Sequence, residues 1–252
     1  MALLAGLDDV NWRALVHAFG PANEVPVWLR AMMGTDHEAS RHAWQQLSYA
    51  MEHQGSLYDS TLAALPFLFE IAQQRGLPVR AELLALLASI GGGDDTELGE
   101  AFDRPRGPKE TTRKWQAYLA ERRRAREARV LVAAQFPLFL EALDEPEPSV
   151  RQVAVWALHV CESQAHLLVQ ALQHRFEVEP DALTKEILRD ALEHFAALAE
   201  QGRCPAVSAG SLRQWLQAHP EERRPVKNPF LLRIFLSSVH PLPADRFAFD
   251  EA

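Results

Sequence analysis

The sequence predicts an all-α chain of about five helical hairpins stacked side by side, interrupted by one basic insertion. Three observations predict it. Apolar residues recur at i, i+3, i+4 and i+7 through most of the 252 residues, which is the spacing of one helical face. Glycine is sparse, at 12 residues, and alternating β-branched runs are absent. A block also repeats. Pro66-Phe67-Leu68-Phe69-Glu70 returns 71 residues later as Pro137-Leu138-Phe139-Leu140-Glu141. The register holds without a gap for 25 residues and carries Val79-Arg80 onto Val150-Arg151. One helical hairpin cannot bury both its faces, whereas a row of them shares a continuous core.

Residues 1–23 are expected to cap the row, with a helix over 7–20. Residues 24–91 hold the first repeats. One copy starts at Pro26-Val27-Trp28-Leu29 and reaches Arg41; the next runs from Pro66 to Arg80. Between them lies His53-Gln54-Gly55-Ser56-Leu57-Tyr58. It reads as a hydrogen-bonded turn in which Gly55 ends one helix and Ser56 or Asp59-Ser60 caps the next. It also reads as a polar cluster whose His53 and Tyr58 contact a ligand.

Proline spacing locates the insertion. Pro26 to Pro66 is 40 residues and Pro66 to Pro137 is 71, so 31 extra residues fall near 92–122. Gly91-Gly92-Gly93 stops a helix there, and Pro105 and Pro108 prevent regular helix until about Arg113. Residues 123–219 hold the later repeats. The clearest helix is 183–199, apolar on the face of Leu188, Leu192 and Phe195, with Asp181 as its N-cap. Residues 220–252, with Phe230, Phe235, Phe247 and Phe249, read as a C-terminal cap or a docking tail. Trp12, Trp28, Trp44, Trp156 and Trp215 fall on apolar faces and read as core.

The repeat carried by Pro137, Leu138, Leu140, Leu143, Asp144, Pro148, Val150-Arg151 and 154–158 resembles the HEAT-repeat family. That resemblance implies a right-handed α-solenoid. It also implies a polar ladder along the stack, from an aspartate in the turn and an arginine opening the second helix. Asp144 and Arg151 match those positions, Arg80 and Arg41 match the arginine, and Gln73 stands where the second copy would have its aspartate. The likeness is strongest over 137–162 and weak beyond 163.

Charge is uneven. The chain totals −8, with 26 basic and 34 acidic residues. Between Arg104 and Arg129 ten basic residues oppose three acids, a local +7 that leaves −15 on the remainder. A surface that grips a phosphate backbone along its whole length is therefore not expected. On a helix Arg122, Arg126 and Arg129 form one stripe beside a packable stripe of Ala125, Ala128 and Val132. The stripe reads either as a solvated face or as an anion site, since guanidinium forks match carboxylates and phosphates. Arg113, Lys114, Trp115, Tyr118 and Arg123 belong to the same candidate surface, with the aromatic rings available for stacking.

Other chemistries find little support. The two cysteines make no disulfide framework, and a reducing compartment fits them. Cys161 reads as a buried small hydrophobe and Cys204 as more exposed. No HExxH or CxxC spacing marks a metal site; His37 with His42, and Cys161 with His166, lack further ligands. No cofactor is expected. Phosphate-loop, GxSxG and kinase signatures are absent. The opening MALLAGLDDVNW has no basic leader region, and no apolar run is long enough for a bilayer, so a cytoplasmic protein is expected.

The resemblance implies a non-enzymatic module that binds another protein. The most concrete form is a stoichiometric inhibitor, such as the bacterial HEAT-repeat proteins thought to act as immunity proteins against toxins. An alternative is a DNA-binding enzyme like the HEAT-like alkylpurine glycosylases, although the basic residues here are confined to one segment. A third is a scaffold or adaptor subunit, like HEAT-type phycobilin lyases.

Overall fold

The computed structural model describes residues 3–53, 55–92 and 110–220, with backbone alone at 110–115 and 118. Most of these residues are helical. The elements are α1 (Val25–Met32), α2 (His37–Met51), α3 (Asp59–Ala72), α4 (Arg80–Gly91), α5 (Glu110–Ala134), α6 (Phe136–Ala142), α7 (Pro148–Leu158), α8 (Ala165–Val178), α9 (Ala182–Glu200) and α10 (Ala209–Ala218). Two small antiparallel hairpins accompany them. β1 (Val16–His17) pairs with β2 (Gly20–Pro21), and β3 (Glu52–His53) pairs with β4 (Ser56–Leu57).

Consecutive helices pack as pairs: α1 with α2, α3 with α4, α6 with α7, and α8 with α9. The second helices join the last three pairs, because α7 packs against both α4 and α9, while the first pair meets the next through α1 on α3 and β3 on α4. α10 closes on α9. One hydrophobic core runs from Leu4 to Leu216.

Local chemistry sets the boundaries. Asp36 caps α2 by accepting from the Glu38 and Ala39 N–H groups, and Asp181 caps α9 through the Thr184 N–H at 2.8 Å. Proline has no N–H to donate and its ring clashes with the carbonyl four residues back, so it starts a helix rather than continues one, and the helical path breaks at Gln135, two residues before Pro137. The same proline that repeats in the sequence thus separates α6 from α5, whereas Pro66 sits inside α3. α5 runs unbroken across 122 and 123 and packs on α3, α4 and β4. It crosses α4 at Gly91, where an added Cβ would stand 2.7 Å from Val132 Cγ1.

The N-terminal segment departs from expectation. Residues 7–20 form two short 3-10 turns and the β1–β2 hairpin rather than a helix. Gly6 and Gly20 both have positive φ, and Pro21 offers no N–H to continue a helix. The segment is fastened from outside: Leu4 N–H donates to Glu70 Oε2 at 2.7 Å, Val16 N–H to Asp59 Oδ1 at 2.9 Å, and Ala18 N–H to the Ala50 carbonyl at 3.2 Å.

Two buried arginines each reach a glutamate in the following helix pair, partners other than those expected. Arg80 is buried at the start of α4, and its Nη2 lies 3.4 Å from Glu145 in the turn of the following pair. Arg151 sits 71 positions on and repeats the arrangement with the pair after that. Its Nη2 and Nε donate to Glu179 at 2.6 and 3.0 Å, while Nη1 donates to the Glu145 and Pro146 carbonyls. The acids are therefore Glu145 and Glu179. Asp144 points outward, its side chain 83% exposed and 3.7 Å from Arg175. The α6–α7 turn places the neighbouring side chain inward instead. Arg41 is also corrected: it is exposed on α2, and the adjacent Ser40 takes the buried position, bonding the Met32 carbonyl at 2.8 Å.

Candidate interaction surface

The stretch 53–58 is more than a turn. Met51 ends α2, the chain folds through β3 and β4, and Gly55 adopts φ 85°, a conformation that costs glycine little. Tyr58 precedes α3 as its N-cap, where neither Ser56 nor Asp59 was found; its N–H donates to Thr61 Oγ1 at 3.0 Å. Thr61 in turn donates to the Met51 carbonyl at 2.6 Å. This buried bond locks the end of α2 to the start of α3.

The hairpin holds His53 and Tyr58 in two different neighbourhoods. The His53 ring meets the Phe19 ring edge-on, centroids 5.2 Å apart. Phe19 sits at the tip of the β1–β2 hairpin and is 65% exposed. Its N–H donates to His17 Nδ1 at 3.1 Å, and His17 packs 5.8 Å from Trp28. Burial holds the His17 imidazole below its ordinary pKa, against the opposing pull of Glu24, so it stays neutral as this acceptor role requires. Val16 and Val27 flank the cluster as exposed apolar side chains.

Tyr58 faces α5. Arg124 Nε donates to the Leu57 carbonyl at 2.8 Å and so pins the long helix to β4. Burial raises the Tyr58 phenol pKa, Glu121 and Glu52 raise it further, and Arg124 partly opposes them. The structure thus brings together two groups that are some 60 residues apart in the chain, the 53–58 hairpin and the basic helix.

α5 divides its arginines. Arg129 is half-buried and donates to Glu162 at 2.9 Å; Glu162 also takes Arg203 at 2.7 Å. Arg122 is half-buried. Of the expected stripe of Arg122, Arg126 and Arg129, only Arg126 is exposed. The outward face instead carries Leu119, Arg123, Arg126 and Val130, close to i, i+4, i+7 and i+11, with Val130 69% exposed. Arg113, Lys114, Trp115 and Tyr118 lie on the same helix, but their side chains fall outside the described residues, as do Arg104, Arg106 and Lys109 entirely. The expected C-terminal cap over 220–252 also lies outside them beyond residue 220.

Sequence reasoning missed Phe19 and the anchoring role of Arg124. The Gly20-Pro21 pair after Phe19 was an available turn signal. Nothing local in the sequence marks Arg124 as the arginine that faces inward.

Both cysteines are buried. Burial pushes the Cys161 thiol up to about 12, with Arg129 opposing, and burial and Glu162 raise Cys204. Cys204 is only 4% exposed, a correction to its expected exposure, because its thiol turns in toward the Glu162 carbonyl. Among the described residues no group of three or more His, Cys, Asp or Glu is placed to hold a metal, and no helix is long and apolar enough to cross a membrane.

The surface offers aromatic edges, aliphatic side chains and guanidinium groups on a rigid helical base. Those are the contact chemistries that carry protein interfaces. Comparison of the sequence with protein-family models and with curated proteins returned no match.

Proposed function

We propose that the chain is a non-enzymatic protein-binding module, a right-handed α-solenoid of HEAT-like hairpins that grips its partner through the Phe19–His53 cluster and the outer face of α5. The solenoid reading is supported by the 71-residue repeat and by the arginine–glutamate links between successive helix pairs. The binding reading rests on one observation. Phe19 and Val130 are about two-thirds exposed on elements that are otherwise firmly anchored. Burying each such side chain against a partner is worth about 1.5–3 kcal/mol. Arg123 and Arg126, on the same face of α5 as Val130, supply forks for partner carboxylates.

The most concrete form of this reading is a stoichiometric inhibitor of another enzyme, such as an immunity protein facing a toxin. The −15 carried outside the basic segment supports it, since an acidic field steers basic enzymes into an encounter.

The test is affinity capture of the tagged chain from its own cells, washed at low and then high salt. A protein retained at one-to-one stoichiometry through the high-salt wash, and lost from the Phe19→Ala/Arg126→Glu variant, is the expected result. If that protein is toxic when expressed alone, co-expression of this chain should restore growth. Nucleic acid released by salt with no retained protein would overturn the proposal, because phosphate-driven binding falls steeply with salt.

A further inference from the structure

A groove lies between α8 and α10. Both helices pack on α9. They meet at one end, where Phe176 and Trp215 stack edge-to-face at 5.3 Å. Away from that point they leave a groove of about 340 Å³. Its floor is Val169, Val207 and Leu212, and its rims carry Gln170 and Gln173 on α8 and Ser208 and Ser211 on the α10 side. His166 stands at the open end. Among the described residues no Asp, Glu, Lys or Arg lines it, in a chain where 24% of residues are charged.

The rims are not equivalent. The Ser208 and Ser211 hydroxyls bond each other at 2.9 Å, and Ser208 Oγ accepts the Ser211 N–H. The Gln170 and Gln173 amides have no hydrogen-bonding partner among the described residues. They stand one helical turn apart, with Cβ atoms about 5–6 Å from each other. Each amide presents a donor and an acceptor side by side. An extended polypeptide shows its N–H and C=O to one side at every second residue, a repeat of about 6.8 Å that two flexible glutamine side chains can match. A charged side chain entering this neutral groove would lose its hydration without gaining a counter-ion.

We propose that the α8–α10 groove binds an extended, uncharged polypeptide segment through its main chain. The Gln170 and Gln173 amides each bond the N–H and C=O of alternate peptide residues. Between them a small apolar side chain rests on Val169 and Leu212, and Trp215 closes one end. This site is separate from the Phe19 and α5 surface and does not depend on that surface having a partner.

The experiment pans a phage-displayed random dodecapeptide library on the full chain, then measures the selected peptides by fluorescence anisotropy. The expected result is enrichment of peptides with an uncharged central segment whose affinity drops at least tenfold in Gln170→Ala/Gln173→Ala. N-methylation of the central peptide bonds should cause a comparable loss. Circular dichroism of the variant should match wild type, since both side chains sit at the surface. Phe19→Ala and Arg126→Glu should leave the peptide affinity unchanged, which separates this site from the other. Absence of enrichment, peptides indifferent to the glutamine substitutions, or peptides indifferent to N-methylation would each overturn the proposal.

Discussion

Glu179→Gln tests the internal ladder most severely. The Glu179 carboxylate is buried and accepts four hydrogen bonds: two from Arg151, one from Arg175 Nε at 2.8 Å and one from the Asp181 N–H at 2.9 Å. Arg151 itself is buried, so removing the negative charge leaves a guanidinium in the core bonded to the Glu145 and Pro146 carbonyls, with Asp181 and Glu147 acting on it only through space. Breaking one side of such a pair costs about 3–5 kcal/mol. For a chain of this size that corresponds to a fall of about 10 °C in Tm. The pH dependence has a fixed sign. Burial alone would raise the Glu179 pKa, but the bonds from Arg151, the Asp181 N–H and Arg175 outweigh it, and the net shift is downward from 4.5. A lowered carboxylate contributes stability that is present above 4.5 and lost as pH falls through the folded value. Urea denaturation of wild type and variant, followed by circular dichroism, should therefore show a gap at pH 7 that closes in acid. A gap below about 1 kcal/mol at pH 7, or one that persists unchanged in acid, would mean that the Glu179 charge does not hold Arg151 in the core.

Two further predictions probe the core. His159 is held at about 4 by burial first and by His194 second, against hydrogen bonds to the Val155 and Trp156 carbonyls. The unfolded chain binds a proton there below 6.5 that the folded chain refuses, so stability should fall by about 3 kcal/mol between pH 7 and pH 4. His159→Leu should flatten that slope in a pH series of urea melts, and an unaltered slope would contradict the assignment. Gly91→Ala should destabilise by about 1–3 kcal/mol, because the new methyl meets Val132 Cγ1 at 2.7 Å. Adding Val132→Ala should recover part of that loss in a double-mutant cycle, whereas simple additivity would mean the two residues do not collide.

The all-helical class was legible in the sequence because it rests on periodicity. The 71-residue offset placed Pro66 with Pro137 and Arg80 with Arg151, and both arginines are buried at corresponding points of successive helix pairs. The ladder's acids were not legible. Asp144 and Glu145 are adjacent, and the turn geometry alone decides which one points inward. Arg41 misled because its neighbour Ser40, not the arginine, faces the core. Two-residue strands leave no alternation to read, so both β hairpins were invisible, including the one that lifts Phe19 into solvent. On α5, composition alone could not sort the arginines. Arg124 and Arg129 turn toward Leu57 and Glu162, contacts that only the packed structure supplies.

Site-specific photo-crosslinking reads out whether Phe19 and Val130 meet the same partner. A benzophenone amino acid would replace Phe19, Val130 or, as a control, Glu38, and the cells would be irradiated while intact. Glu38 is exposed near the start of α2, about 20 Å along that helix from its junction with His53. One and the same protein adduct is expected from positions 19 and 130, at high yield, and none from position 38. Equal adduct yield from all three positions, or no protein adduct from 19 and 130, would contradict it.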